Sequence, residues 1–144
     1  MPRGYPDWFG QPQFPKYGAI KSITGETIVE RDVLTNVFSI TGKGKIDSGR
    51  AWYSPYLGFF TAYFNLKIDG VSIWSNFIDH MKQLGCYAGS GQALFLLSYD
   101  SVLGLYTIGI RGDITFETSF ILQTKQYTNT DLTCHYDVLY TLIE

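Results

Sequence analysis

After about residue 20 the chain is dominated by side chains that alternate in character with a period of two. Phe60, Ala62, Phe64, Leu66 and Ile68 share one parity, and Phe59, Thr61, Tyr63, Asn65 and Lys67 the other. Successive side chains of a strand point to opposite faces, so such a run predicts a β-strand with one face buried. The same pattern recurs through Ile114, Phe116, Thr118, Phe120 and Leu122, and again through Leu132, Cys134, Tyr136, Val138, Tyr140 and Leu142. Leu34, Phe38 and Ile40 give a weaker version, with Asn36 among them. Between two alternating runs, Leu66 to Trp74 reads LKIDGVSIW. Asp69-Gly70 at its centre predicts a two-residue hairpin turn, because both residues tolerate positive φ. Ser98 to Gly104 and Tyr127 to Asp131 are further turn candidates.

One segment departs from the period. Phe77, Ile78, Met81 and Leu84 have helical spacing, with Ser75 placed as N-cap and Gly85 as the residue after the helix. Many short strands with one short helix covering an end predict an all-β fold: an antiparallel β-sandwich, jelly-roll-like.

The chain has 144 residues, 45% apolar and 17% charged, which is enough for one domain with a sizeable core and no need of a metal or disulfide staple. Residues 1–18, MPRGYPDWFGQPQFPKYG, differ from the rest: four of the five prolines fall here, among Tyr5, Trp8, Phe9, Phe14 and Tyr17. Proline removes a backbone donor and disfavours helix and central strand. Large rings gain from burial, so an extended arm is expected whose aromatics dock on a surface of this chain or of a neighbour. The organisation is then an arm over 1–18 and a sandwich domain over 19–144.

Net charge is −2 and Lys and Arg form no run, which disfavours direct binding of nucleic acid. The opening residues lack the apolar core of a secretory signal, and no apolar run approaches the ~20 residues that span a bilayer, so no membrane association is expected. Cys86 and Cys134 are expected as buried free thiols.

Few residues suggest chemistry. Gly42-Lys43-Gly44-Lys45 lacks the spacing of a phosphate loop and reads as a tight turn or bulge; Gly89-Ser90-Gly91 lacks the third glycine of a dinucleotide fingerprint and reads as a loop. His80 and His135 have no local set of metal ligands, and no nucleophile elbow is present. Asp47, Asp69, Asp79, Asp100, Asp113, Glu117, Asp131 and Asp137 include no pair that sequence alone can assign to glycoside cleavage. No metal, cofactor or catalytic activity is therefore expected. Trp52, Tyr53 and Tyr56 around Pro55 could stack on sugar rings, or serve as a loop anchor or subunit contact.

The ordered set MPRGYPDWFGQPQFPKYG, FSITGKGKIDSG, LKIDGV, GDITFETSFILQ and YDVLYTLIE resembles small virion proteins of tailed bacteriophages. The resemblance implies a β-sandwich or jelly-roll module serving as capsid decoration, head fibre, or neck or tail component. It also implies a homo-oligomer, a trimer being favoured, contacts with other virion proteins such as major capsid or tail proteins, and a place in the virion after synthesis in the host cytoplasm. Tyr5, Trp8, Phe9, Phe14 and Tyr17 are the expected arm contacts. The alternative is a carbohydrate-binding or host-receptor-binding module presenting Trp52, Tyr53 and Tyr56 to a surface glycan.

Overall fold

The computed structural model describes residues 17–54, 62–100 and 105–143. Within them the chain is all-β, with two antiparallel sheets and one short helix. The order of elements is β1 (Lys21–Val29), β2 (Thr35–Thr41), β3 (Gly44–Ser54), β4 (Ala62–Ile68), β5 (Val71–Phe77), α1 (Ile78–Gln83), β6 (Leu94–Asp100), β7 (Leu105–Ile110), β8 (Ile114–Phe116), β9 (Ser119–Gln126) and β10 (Leu132–Leu142). A six-stranded sheet has the order β1-β10-β3-β7-β6, with β8 also paired to β3; a four-stranded sheet has the order β2-β9-β4-β5. β7 and β8 lie end to end along β3, facing Gly49–Trp52 and Gly44–Ile46 respectively.

The inward parity of each strand builds one core. Val29, Ile46, Ala51, Leu96, Ile108 and Val138 come from the six-stranded sheet, and Phe38, Phe64, Leu66, Phe120 and Leu122 from the four-stranded one. Rings interlock between the layers: Phe38 lies 5.4 Å from Tyr136, and Tyr53 meets Phe64 edge-on at 6.0 Å. The Tyr53 hydroxyl is hydrogen-bonded to Thr124 of the opposite sheet. Both cysteines are free and buried, as their isolation in the sequence led us to expect.

The Asp69-Gly70 hairpin forms between β4 and β5, with φ of 54° and 81° at the two turn residues. Positive φ at both central positions matches the twist of the flanking strands. The weak pattern near Asn36 also has a cause. A register shift between Asn36 and Phe38 makes Val37 a bulge, so Val37 and Phe38 are both buried while Leu34 is exposed.

Three expectations need correction. The run from Ile114 to Leu122 is not one strand: it breaks at Glu117-Thr118, with β8 in one sheet and β9 in the other, so the same buried parity serves both layers. Ser98, placed in a turn, lies in β6, which continues to Asp100. Ser75 is not a helix cap. It pairs with Asn65 inside β5, and α1 starts only at Ile78, with Phe77 as N-cap and no side-chain cap. The helical stripe is correspondingly shorter: Ile78 and Met81 are buried, but Leu84 is exposed.

The helix end matches its expectation. Gly85 has φ of 72°, its N–H reaches the Lys82 carbonyl, and the N–H of Cys86 reaches that of Met81 at 2.9 Å. These paired bonds satisfy the last carbonyls of the helix. α1 touches β4 and β5 on one side and β6 on the other, so it closes one end of the sandwich.

Candidate functional site

Among the described residues, the outward parity of the six-stranded sheet carries a connected polar and aromatic surface. β10 lies between β1 and β3, and the registers Glu26–His135–Trp52 and Thr24–Asp137–Arg50 place two rows of side chains across three strands. In the first row the Trp52 and His135 rings stack at 5.4 Å with an interplanar angle of 13°. His135 Nε2 is hydrogen-bonded to Ser54 Oγ at 2.7 Å, and its Nδ1 lies 3.4 Å from Glu26 Oε2. In the second row Asp137 accepts from Thr24 Oγ1 through Oδ1 and from Arg50 through Oδ2, both at 3.2 Å. The Arg50 guanidinium lies 5.4 Å from the centre of the Trp52 ring and joins the two rows.

Beyond Arg50 the second row runs onto Gly109 of β7 and Phe95 of β6. The Phe95 ring lies where a side chain at position 109 would stand, so glycine there lets the ring rest flat on the sheet. The result is a groove of about 430 Å³, bordered by Arg50, Asp137, Phe95, Leu97 and Leu139. Groove, ion pair and Trp52 are contiguous, because Arg50 and Trp52 are outward neighbours on β3.

Ser54, His135 and Glu26 stand in the order nucleophile, base and orienter, but the strand that carries the central residue, His135, supplies no oxyanion donor. Each lies on a strand, and β10 is paired on both sides over these residues. Its peptide N–H groups are engaged in ladder bonds and cannot receive an oxyanion. What the array does is hold the imidazole flat against Trp52.

A second concavity, about 500 Å³, lies between α1 and β6 beside Asp79, Lys82, Tyr87 and Tyr99. Its ring surface is already used, since Lys82 Nζ sits 4.4 Å from the centre of Tyr99. Among the described residues no three His, Cys, Asp or Glu side chains converge as metal ligands, and no helix is long and apolar enough to cross a membrane.

The residues singled out from sequence separate clearly. Trp52 faces outward on the surface just described. Tyr53, its neighbour, points the opposite way and is 1% exposed, with its hydroxyl held well above its ordinary pKa by burial. Adjacent strand residues cannot share a platform, so Tyr53 is withdrawn from the proposed sugar-stacking set. Tyr56 lies outside the described residues, as do Tyr5, Trp8, Phe9 and Phe14. Tyr17 is placed: it bridges to Ile143 at the end of β10, with Lys45 Nζ 4.9 Å from its ring centre.

Arg50, Asp137, His135, Glu26, Phe95 and Gly109 were not recognised as one surface from sequence. The outward parity of β3 (Ser48, Arg50, Trp52, Ser54) and β10 (Thr133, His135, Asp137) was readable, but the pairing that brings them together was not.

Compared with known proteins, the chain matches no family model and no curated sequence. Its class therefore rests on its fold: a two-sheet, all-β domain with a polar-aromatic outer face.

Proposed function

We propose that the chain is a non-enzymatic structural subunit of a bacteriophage particle, serving as a capsid decoration, head fibre, or neck or tail component. It joins its neighbours through sheet edges and through residues 1–18. The observation that carries the assembly reading is strand β5. It ends the four-stranded sheet, its seven residues VSIWSNF include no charge and no proline, and Val71 and Ile73 are 62% and 49% exposed. Protected edges normally carry charge, proline or a covering element; among the described residues no strand pairs with the outer side of β5, and an apolar edge of this kind invites strand addition from another chain.

The strand order supports a jelly-roll reading of the sandwich. β1-β10-β3 with the end-to-end pair β7 and β8 faces β2-β9-β4-β5, two four-strand layers of a jelly roll with β6 added at one edge. Jelly rolls are used by viral capsid and lectin domains, which is an analogy of fold and not of site. The phage setting rests on the ordered motifs given above.

The occupant of the β5 edge is a second copy of this chain. β5 against β5 closes a two-fold dimer, whereas β5 against a different surface of the next copy closes a ring, a trimer in our reading. The test is the mass of the full chain in solution, for the wild type and for the Ile73→Lys variant. A discrete wild-type multimer and a monomeric variant are expected. A wild-type monomer across the accessible concentration range would remove self-assembly from the reading.

A further inference from the structure

We propose that the groove on the outer face of the six-stranded sheet receives Trp8 and Phe9 from the N-terminal arm of a neighbouring copy of this chain. The proposal rests on the assembly reading above and names the surface that residues 1–18 grip. It uses the sheet that does not contain β5, so the groove and the β5 edge can be engaged together.

The path of the chain sends the arm away from its own groove. β1 is antiparallel to β10, with Lys21 opposite Tyr140 and Tyr17 bridged to Ile143, and the Gly18 N–H donates to the Leu142 carbonyl at 2.8 Å. Followed from Lys21 back to Tyr17, the chain therefore advances towards the end of β10, and Leu139 at the groove's border falls behind it. Between Gly10 and Tyr17 the sequence holds Pro12 and Pro15 and no glycine. The residue before a proline favours extended backbone, so this stretch directs the arm onward, by roughly 20 Å at the reach of an extended chain. Trp8 and Phe9 lie next to Gly10 on its outer side, so a reversal at that glycine comes too late to return them to their own groove. They are presented beyond the body of their own chain, where a neighbour's groove can take them.

Groove and arm match in chemistry. Leu97 and Leu139 border the groove and are 51% and 40% exposed, and the Phe95 ring, lying over Gly109, adds aromatic surface. The charges at the border, Arg50 and Asp137, are paired with each other at 3.2 Å. An apolar guest thus covers exposed leucine without stranding a charge. Residues 4–15, GYPDWFGQPQFP, carry four aromatic side chains and a single charge, Asp7. At about 430 Å³ the groove has room for inserted side chains and not for a further strand or helix. The prolines limit the freedom that the arm loses on docking. Arm and groove are different surfaces, so the contact is head-to-tail and closes a ring, in keeping with the trimer of our assembly reading.

The test is photo-cross-linking of the full chain carrying Phe9→p-benzoylphenylalanine. Ordinary and heavy-isotope-labelled protein are refolded together and irradiated, and the mass in solution is measured on the same sample. Expected are linked peptides that join position 9 of one chain to the segment around Leu97 or Leu139 of another, light paired with heavy. Leu139→Glu and Leu97→Glu should each lower that yield at least ~10-fold, through the apolar burial each removes, while circular dichroism shows the sheets intact. Links confined to single chains, or links to any other surface, overturn the proposal. So does a yield that survives both substitutions. A multimer without these links removes the groove and leaves the assembly reading standing; a monomer at every concentration removes both.

Discussion

The Asp69 carboxylate holds the peptide of Thr118, accepting its N–H at 2.7 Å and its Oγ1 at 3.1 Å. The N–H groups of Glu117 and Ser119 converge on the same carboxylate at 2.9 and 3.2 Å, and the N–H of Asp69 donates to the Ser119 carbonyl at 3.0 Å. Thr118 is where the chain leaves β8 in one sheet and enters β9 in the other. The hairpin turn thus has a second role as the clamp on the crossover between layers. Asp69→Asn keeps a residue suited to positive φ but removes the charge that three peptide donors share. We expect a lower denaturation midpoint and faster amide exchange at residues 117–119 than elsewhere in the two sheets. Unchanged exchange there would show that the crossover holds without the carboxylate.

The same contact makes stability depend on acid in a defined direction. Hydrogen bonds from Thr118, Ser119 and Glu117 lower the Asp69 pKa in the folded protein. The folded state therefore binds its proton less readily than the unfolded state does, and the contribution is complete above the ordinary carboxylate value of about 3.9. It is lost as pH falls through the lowered folded value. The stability gap between wild type and Asp69→Asn should be constant near neutrality and close below about pH 4. Parallel urea titrations at several pH values measure it; a gap that widens on acidification contradicts the assignment.

Gly44, at the start of β3, packs directly against the end of β10. A side chain there would fall on the Thr141 carbonyl oxygen and on Cα of Leu142, which is backbone and cannot rotate away. Gly44→Ala should therefore destabilise by roughly 1–3 kcal/mol, the usual cost of overpacking. Gly70→Ala is the informative comparison: nothing occupies the space beside it, and its penalty comes only from φ of 81°. Chemical denaturation of the two variants separates steric from conformational cost.

How much of this was legible in advance depends on the range of the signal. The Asp69-Gly70 turn, the inward parity of β4 and β10 and the glycine ending α1 are local, and local chemistry decides them. Ser75 misled because its capping propensity is worth less than the β5 pairing that claims it. The break at Thr118 was hidden because Ile114, Phe116, Phe120 and Leu122 keep one parity on both sides of the crossover. The Trp52 surface needed register: His135 and Ser54 are 81 residues apart, and nothing near either predicts the other. Parity alone would have turned Tyr53 away from Trp52.

Tyr53→Phe should lower stability by about 0.5–1.5 kcal/mol, the usual net worth of a hydrogen bond. The hydroxyl links the two sheets through Thr124, whose own Oγ1–H donates to the Tyr63 carbonyl at 3.0 Å. Thr124 therefore receives the Tyr53 proton, and its remaining bond survives the substitution. The ring is retained, so the packing on Phe64 persists and no cavity opens. A loss above ~3 kcal/mol, the range of an emptied aromatic site, would mean that the hydroxyl organises more of the interlayer contact than this bond.

Thiol labelling tests whether the layers open. Cys134 lies on the inner face of β10, between β1 and β3, and is 0% exposed; burial raises its thiol far above its ordinary pKa, so it stays protonated near neutrality. A thiol-specific reagent needs both access and a thiolate. In native buffer Cys134 should react only through opening events, and therefore orders of magnitude more slowly than in denaturant. Cys86, 5% exposed beside the end of α1, should react first, because fraying of a six-residue helix uncovers it without separating the sheets. Mass spectrometry of timed reactions, with digestion to assign each site, gives the order. Equal rates at the two cysteines would mean that helix and sandwich open together. Rapid labelling of Cys134 in native buffer would contradict a closed core.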